Sequence, residues 1–265
     1  MDLIKTAFTQ LFNIMLLFLT GLAAGQEQKP PDINHSLSYE IGLNRLKEEN
    51  LFPMVHKGVI NGLAYRFERT GRNYNEVSTT LRYGKIKADP ETEKVSQNAQ
   101  FNAGFCSGFR ISGGERISLF IGYNVDYSYS FVEFPVWDES RAYWGTSLTI
   151  GLSDRLIIND IKENQHWIFS WDINPVGLYS RPDEIRLYAQ EIYTFLNIIK
   201  TTNSYFRPGF INNILLSDFR TEYRFDTKND RYFSVQYSLS YSRIKRTNQH
   251  PILNSRNNFG ICLGF

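Results

Sequence analysis

From Ser36 to Phe265 the chain returns repeatedly to one pattern, in which large apolar side chains occupy every second position and small or polar ones fill the gaps. Successive side chains on a β-strand point to opposite faces, so such stretches describe strands with one greasy and one polar side. The last nine residues are the plainest example. Phe259, Ile261, Leu263 and Phe265 share one face, and Asn258, Gly260, Cys262 and Gly264 share the other.

The same template fits nine earlier stretches. Leu37 to Leu43 alternate with Ser36, Ser38, Glu40, Gly42 and Asn44, and Leu63, Tyr65 and Phe67 with Gly62, Arg66 and Glu68. Val77 to Tyr83, Phe101 to Phe109, Ile117 to Tyr129, Trp144 to Ile161, Trp167 to Ile173, Leu215 to Phe225 and Phe233 to Tyr241 complete the set. The sixth stretch continues to Ile161 through a kink near Ser153-Asp154, where the parity slips. Ten strands follow, or eight if Leu37 to Leu43 and one other weak segment lie outside the wall.

Counting back from Phe265 gives four short connections, Thr70 to Asn75, Ser112 to Glu115, Lys162 to Gln165 and Asp226 to Arg231, all on one side. The other side carries five longer ones, at Arg45 to Gly58, Lys87 to Gln97, Phe131 to Tyr143, Ser180 to Gly209 and Ile244 to Ser255. Short turns at one rim, long loops at the other and an even strand count are the grammar of transmembrane β-barrels. A soluble antiparallel sandwich also alternates, but its outer face is wet. Here the apolar face is rich in Tyr, Phe and Trp, and arginines sort to the other, as they must when a charge facing lipid costs about 2–4 kcal/mol at the midplane. The fold class expected is all-β, a transmembrane antiparallel up-and-down barrel of ten strands.

The first 25 residues look like an export signal. Lys5 precedes an apolar run from Leu11 to Leu22, and Ala23-Ala24-Gly25 offers a cleavage site, leaving 26–265 as the barrel. No cysteine follows closely enough to carry a lipid. The mean hydropathy of −0.35 resembles that of a water-soluble chain. Barrels hide from that measure because only alternate residues meet lipid. A formal net charge of +2 gives no reason to expect nucleic acid as a partner. The partners expected are outer-membrane lipid and lipopolysaccharide, and the barrel-assembly machinery acting through the strand that ends at Phe265.

The stretch Gly42-Leu43-Asn44-Arg45, the loop Trp137-Asp138-Glu139-Ser140 with Tyr143-Trp144, Ser180-Arg181-Pro182 and the terminal Phe265 resemble small outer-membrane barrels of Bacteroidota. That resemblance implies location in the cell outer membrane and a barrel fold. It implies no catalytic residues.

The chemistry-bearing residues also point away from catalysis. Barrel enzymes that cleave lipids set a His and a Ser together so that the imidazole can activate the hydroxyl. His35 and Ser36 are adjacent and face opposite ways, and His56, His166 and His250 have no serine two residues on. No enzymatic activity, cofactor or metal is expected. Cys106 and Cys262 face inward on strands that are not neighbours, which favours free thiols over a disulfide.

The inward charges form the main candidate site. Arg66, Arg82, Arg110, Arg220 and Arg224 are matched against Glu40, Glu68, Asp126, Asp172, Asp218 and Glu222. A lumen of ten strands lies near the width that side chains fill, so these groups are expected to pair across it and close it. A second candidate is an aromatic and acidic loop surface, comprising Phe134, Trp137, Asp138, Glu139, Tyr143 and Trp144. Pro182 to Lys200 carries apolar residues at helical spacing and predicts a short helix in one outer loop, with a pair of short strands as the rival. The function expected is structural, surface-interacting or ligand-docking, with a narrow transporter for a small solute or lipid as the alternative.

Overall fold

The computed structural model describes residues 32–48, 52–88, 95–113, 116–134, 141–159, 164–181, 206–227, 231–246 and 249–265. The expected signal segment and the Pro182 to Lys200 helix lie outside these residues. Ten long strands make the wall: β1 (Asp32–Glu48), β2 (Phe52–Thr70), β3 (Asn73–Lys87), β4 (Ser96–Gly113), β5 (Ile117–Phe134), β6 (Arg141–Asn159), β7 (Gln165–Ser180), β9 (Ile214–Asp226), β10 (Tyr232–Ile244) and β11 (Ile252–Gly264). A short strand, β8 (Arg207–Gly209), continues the wall beyond β9 by pairing with Gly177 to Tyr179 of β7.

All pairings are antiparallel, between chain neighbours except for β7 with β9, which flank the short β8, and β1 closes on β11, so no sheet edge is left open along the membrane. Closure needs stagger. Following register partners from Asp32 through Thr70, Tyr74, Gly108, Gly122, Ser153, Asp172, Asp218, Ser240 and Arg256 returns to β1 at Asn44, twelve residues along. With strands about 4.8 Å apart and about 3.3 Å of rise per residue, that stagger tilts the strands by about 40°. The seam is locked at its end. Phe265 and His35 exchange backbone hydrogen bonds of 2.8 and 3.1 Å, and their rings stack. Gly264 permits this closure, since a Cβ there would lie 2.0 Å from the Tyr232 ring.

The outward face is what the alternation dictates. Leu63, Leu81, Leu152 and Leu263 each keep more than half their surface exposed, a costly arrangement in water and a favourable one in lipid. Near the short turns Trp167, Tyr223 and Phe225 pack ring to ring with 4.5 Å separations, forming part of an interfacial girdle.

Three details differ from the sequence reading. The strands run well past the roughly 10 residues that cross a bilayer, so Arg45 to Gly58 is mostly strand, with only 49–51 between β1 and β2. Beyond the bilayer the outer face turns polar and the inner apolar, which made these extensions look like loop. The kink expected near Ser153-Asp154 is absent, because β5 and β6 pair in one unbroken register through Ile158. The irregularity sits on β7 instead, where Asn174 and Pro175 oppose Gly151 alone.

Candidate functional site: the filled lumen

The inner half of the lumen, toward the short turns, is packed with ion pairs. β9 aims Asp218, Arg220, Glu222 and Arg224 inward at every second position, and β2 does the same with Arg66 and Glu68. Arg66 donates to Glu222 at 2.7 Å and to Gln236 at 2.9 Å. Arg224 donates to Glu68 at 2.8 Å and to Glu222 at 3.0 Å, and lies over the Tyr232 ring. Glu68 stands directly opposite Glu76, a like-charge pair that would repel without nearby cations. Arg155 resolves it by donating to Glu68 and Glu76, each at 2.9 Å. Arg220 adds bonds of 2.7 and 3.2 Å to Glu76, and Tyr74 hydrogen-bonds both Glu76 and Arg155. Glu68 and Glu222 are almost fully buried. A buried ion costs several kcal/mol to desolvate, so this arrangement holds only because every carboxylate meets two or more guanidiniums.

A second group sits toward the long-loop end. Arg82 donates to Glu40 through Nε at 3.0 Å and Nη2 at 2.8 Å, and to Asn102 at 3.0 Å. Gly62 leaves the room for it, since a Cβ there would stand 2.8 Å from Arg82 Cγ. Gln236 links the two groups by donating to Glu40 at 3.1 Å. Arg256 donates to Gln100 at 2.6 Å and to Ser240 at 2.9 Å. On the facing side Asp126 accepts from Asn124 at 2.9 Å and from Asn174 at 2.6 Å, while Asp172 and Asp218 are register partners.

Above these groups lies a cavity of about 60 Å³, bounded by Gln100, Ser128, Ser147, Asp218 and Arg256 among others. It suits a few waters at most. Higher still the lumen turns apolar. Leu46, Ile86, Val132, Tyr179, Ile214, Leu216, Ile244 and Ile252 pack inside the wall as a buried cluster.

Of the inward residues expected from parity, Glu40, Arg66, Glu68, Arg82, Arg220, Glu222 and Arg224 are joined by these bonds. Asp126 is held by amides, and Asp218 borders the cavity. Arg110 does not join them: it is exposed at the inner rim, past which Ile111 bulges out of register, and its guanidinium lies 5.2 Å over Phe120. Glu76, Arg155 and Arg256 went unnoticed in the sequence, as did the apolar cluster. Cys106 and Cys262 are free thiols, with Cys106 Sγ 3.0 Å from Ser153 Oγ.

For the loop surface, Trp137, Asp138 and Glu139 lie outside the described residues, and Phe134 and Tyr143 stand at the ends of β5 and β6. Trp144 is 1% exposed, so it belongs to the packed interior of the wall and not to a free surface. Among the described residues no cluster of His, Cys, Asp and Glu forms a metal site.

No family model and no curated protein matches the chain. Solved structures do. The chain is similar to the outer membrane protease OmpT from Escherichia coli, with a TM-score of 0.51 and 8% identity over 91% of this chain and 97% of that one. The likeness is one of fold. Weaker similarity extends to the translocator domain of the autotransporter NalP from Neisseria meningitidis, at a TM-score of 0.43 and 6% identity over 98% and 97% of the two chains. The β domain of the Bordetella autotransporter BrkA gives 0.43 and 10% over 88% and 99%.

Proposed function

We propose that this chain is an integral outer-membrane barrel with a sealed lumen, serving a structural, surface-interaction or ligand-docking role. The observation that carries the reading is the mesh of Arg66, Arg155, Arg220 and Arg224 with Glu68, Glu76 and Glu222, which fills the inner half of the barrel. A solute crossing there would have to separate buried ion pairs, each of which costs several kcal/mol to break. The apolar cluster at the long-loop end is a second closure in series.

In this reading the chain is exported through its N-terminal signal, cleaved near residue 25, and inserted by the assembly machinery through β11. It performs no catalysis. Its long-loop end, with Phe134, Trp137, Asp138, Glu139 and Tyr143, is the face available for docking. Reconstitution into liposomes tests the seal. Swelling in isosmotic arabinose or glycine should match that of protein-free vesicles. Swelling faster than the blank with the smallest solutes would overturn the sealed reading in favour of a narrow transporter.

A further inference from the structure

On the outward face of β1 to β3, just beyond the apolar belt, four cations stand together. Arg45 is the register partner of Lys57, Lys57 is the partner of Lys87, and Lys85 is the next outward residue on β3. All four are exposed. Directly opposed side chains in a sheet lie about 4.5–5.5 Å apart at Cβ, and like charges so placed repel. Among the described residues no carboxylate pairs with these four on this face. The interior manages its opposed glutamates by bringing in arginines; among the described residues this patch has no counter-charge of the same kind.

Immediately below, the wall is grooved. Asn61 and Ala99 are small outward residues between taller ones, and Leu63, Leu81, Phe101 and Tyr127 rise around them to border an open, almost wholly apolar groove of about 780 Å³. That volume is in the range of ligand sites. Polar groups mark its floor and its upper edge: Tyr39 donates to Asn61 at 2.8 Å, and above it Tyr83 donates to Gln97 at 2.9 Å. Lys85 follows Tyr83 on the same face, about 7 Å further along the strand. Apolar hollow, hydroxyl and amide rim and cation cluster are therefore stacked in the order of a lipid's acyl chain, its polar neck and an anionic headgroup.

We propose that β1 to β4 form a binding site for a phosphorylated lipid of the surrounding leaflet, with phosphate on Arg45, Lys57, Lys85 and Lys87 and an acyl chain in the groove over Asn61 and Ala99. The proposal rests on the reading of the chain as a membrane barrel with this face in lipid. Phosphate recognition needs several cations converging on one point, which the two cross-strand pairs supply. The groove supplies what free phosphate cannot use.

The full-length protein in neutral phosphatidylcholine nanodiscs should bind added bis-phosphorylated lipid A saturably, read by native mass spectrometry and by a rise in the unfolding temperature. The triple variant Arg45→Ser, Lys57→Ser, Lys87→Ser should lose binding at least tenfold, and Ala99→Phe should weaken it by filling the groove. A control pair at the opposite rim, Arg69→Ser with Arg72→Ser, should leave binding unchanged. Dephosphorylated lipid A and inorganic phosphate should each fail to bind. Equal binding by the triple variant, or an equal effect from either of those two probes, would overturn the proposal. Unmodified protein that migrates as a heat-modifiable folded barrel and does not swell liposomes, yet binds no lipid A, sinks only this inference and leaves the sealed barrel standing.

Discussion

Glu222 shows how much rests on single side chains in this lumen. It accepts from Arg66 and from Arg224 and has no measurable exposure, so removing it takes a carboxylate from each of two buried cations. Breaking one side of a buried pair costs about 3–5 kcal/mol. Glu222→Ala should therefore lower unfolding free energy in lipid vesicles by that amount, measured by urea titration of tryptophan fluorescence, and a loss under 1 kcal/mol would show the pairing to be incidental. A double-mutant cycle of Arg66→Met with Glu222→Gln should give a coupling of about 1–3 kcal/mol, whereas additivity within error would deny the contact. Much of this was legible in the residues. Strict parity placed Arg66, Glu68, Arg82, Arg220, Glu222 and Arg224 inside. Glu76 was missed because it adjoins the polar Thr70 to Asn75 turn, and Arg155 because Asp154 on the outward face looked like a slip of register. Arg256 fell between the Ile244 to Ser255 loop and the terminal strand from Asn257, since the polar run Asn254-Ser255-Arg256 carries no alternation.

Whole strands raise a different question, namely where each stops. The period-two pattern marks the lipid-crossing part of each strand, because there alone the outer face must be apolar and the inner polar. Past the bilayer the rule reverses, with Lys57 and Arg45 outside and Leu46 inside, and a template tuned to lipid ends the strand too early. The terminal element is the one whose end is dictated by closure. Phe265 makes two backbone hydrogen bonds to His35 and stacks on its ring. Deleting Phe265 should leave the protein absent from the outer-membrane fraction and without a heat-modifiable band. A truncated chain that still fractionates there as a folded barrel would contradict the role given to that strand.

The described residues form a tilted ten-stranded wall around an interior layered from ion pairs through a small wet space to an apolar cluster. Both ends of the described chain lie at the short-turn rim, so the β9 to β10 turn and the β10 to β11 connection fall on opposite sides of the membrane. A tag inserted at Gln249 should be labelled on intact cells and one at Thr227 only after permeabilisation; the reverse pattern would invert the orientation. The claim that governs all others is that the lumen is closed, and planar-bilayer recording tests it most directly. The unmodified protein should give no steady conductance steps. Changing Arg66, Arg82, Arg220 and Arg224 together to serine should open a leak in whatever fraction still folds. Large, stable conductance from the unmodified protein would contradict the account.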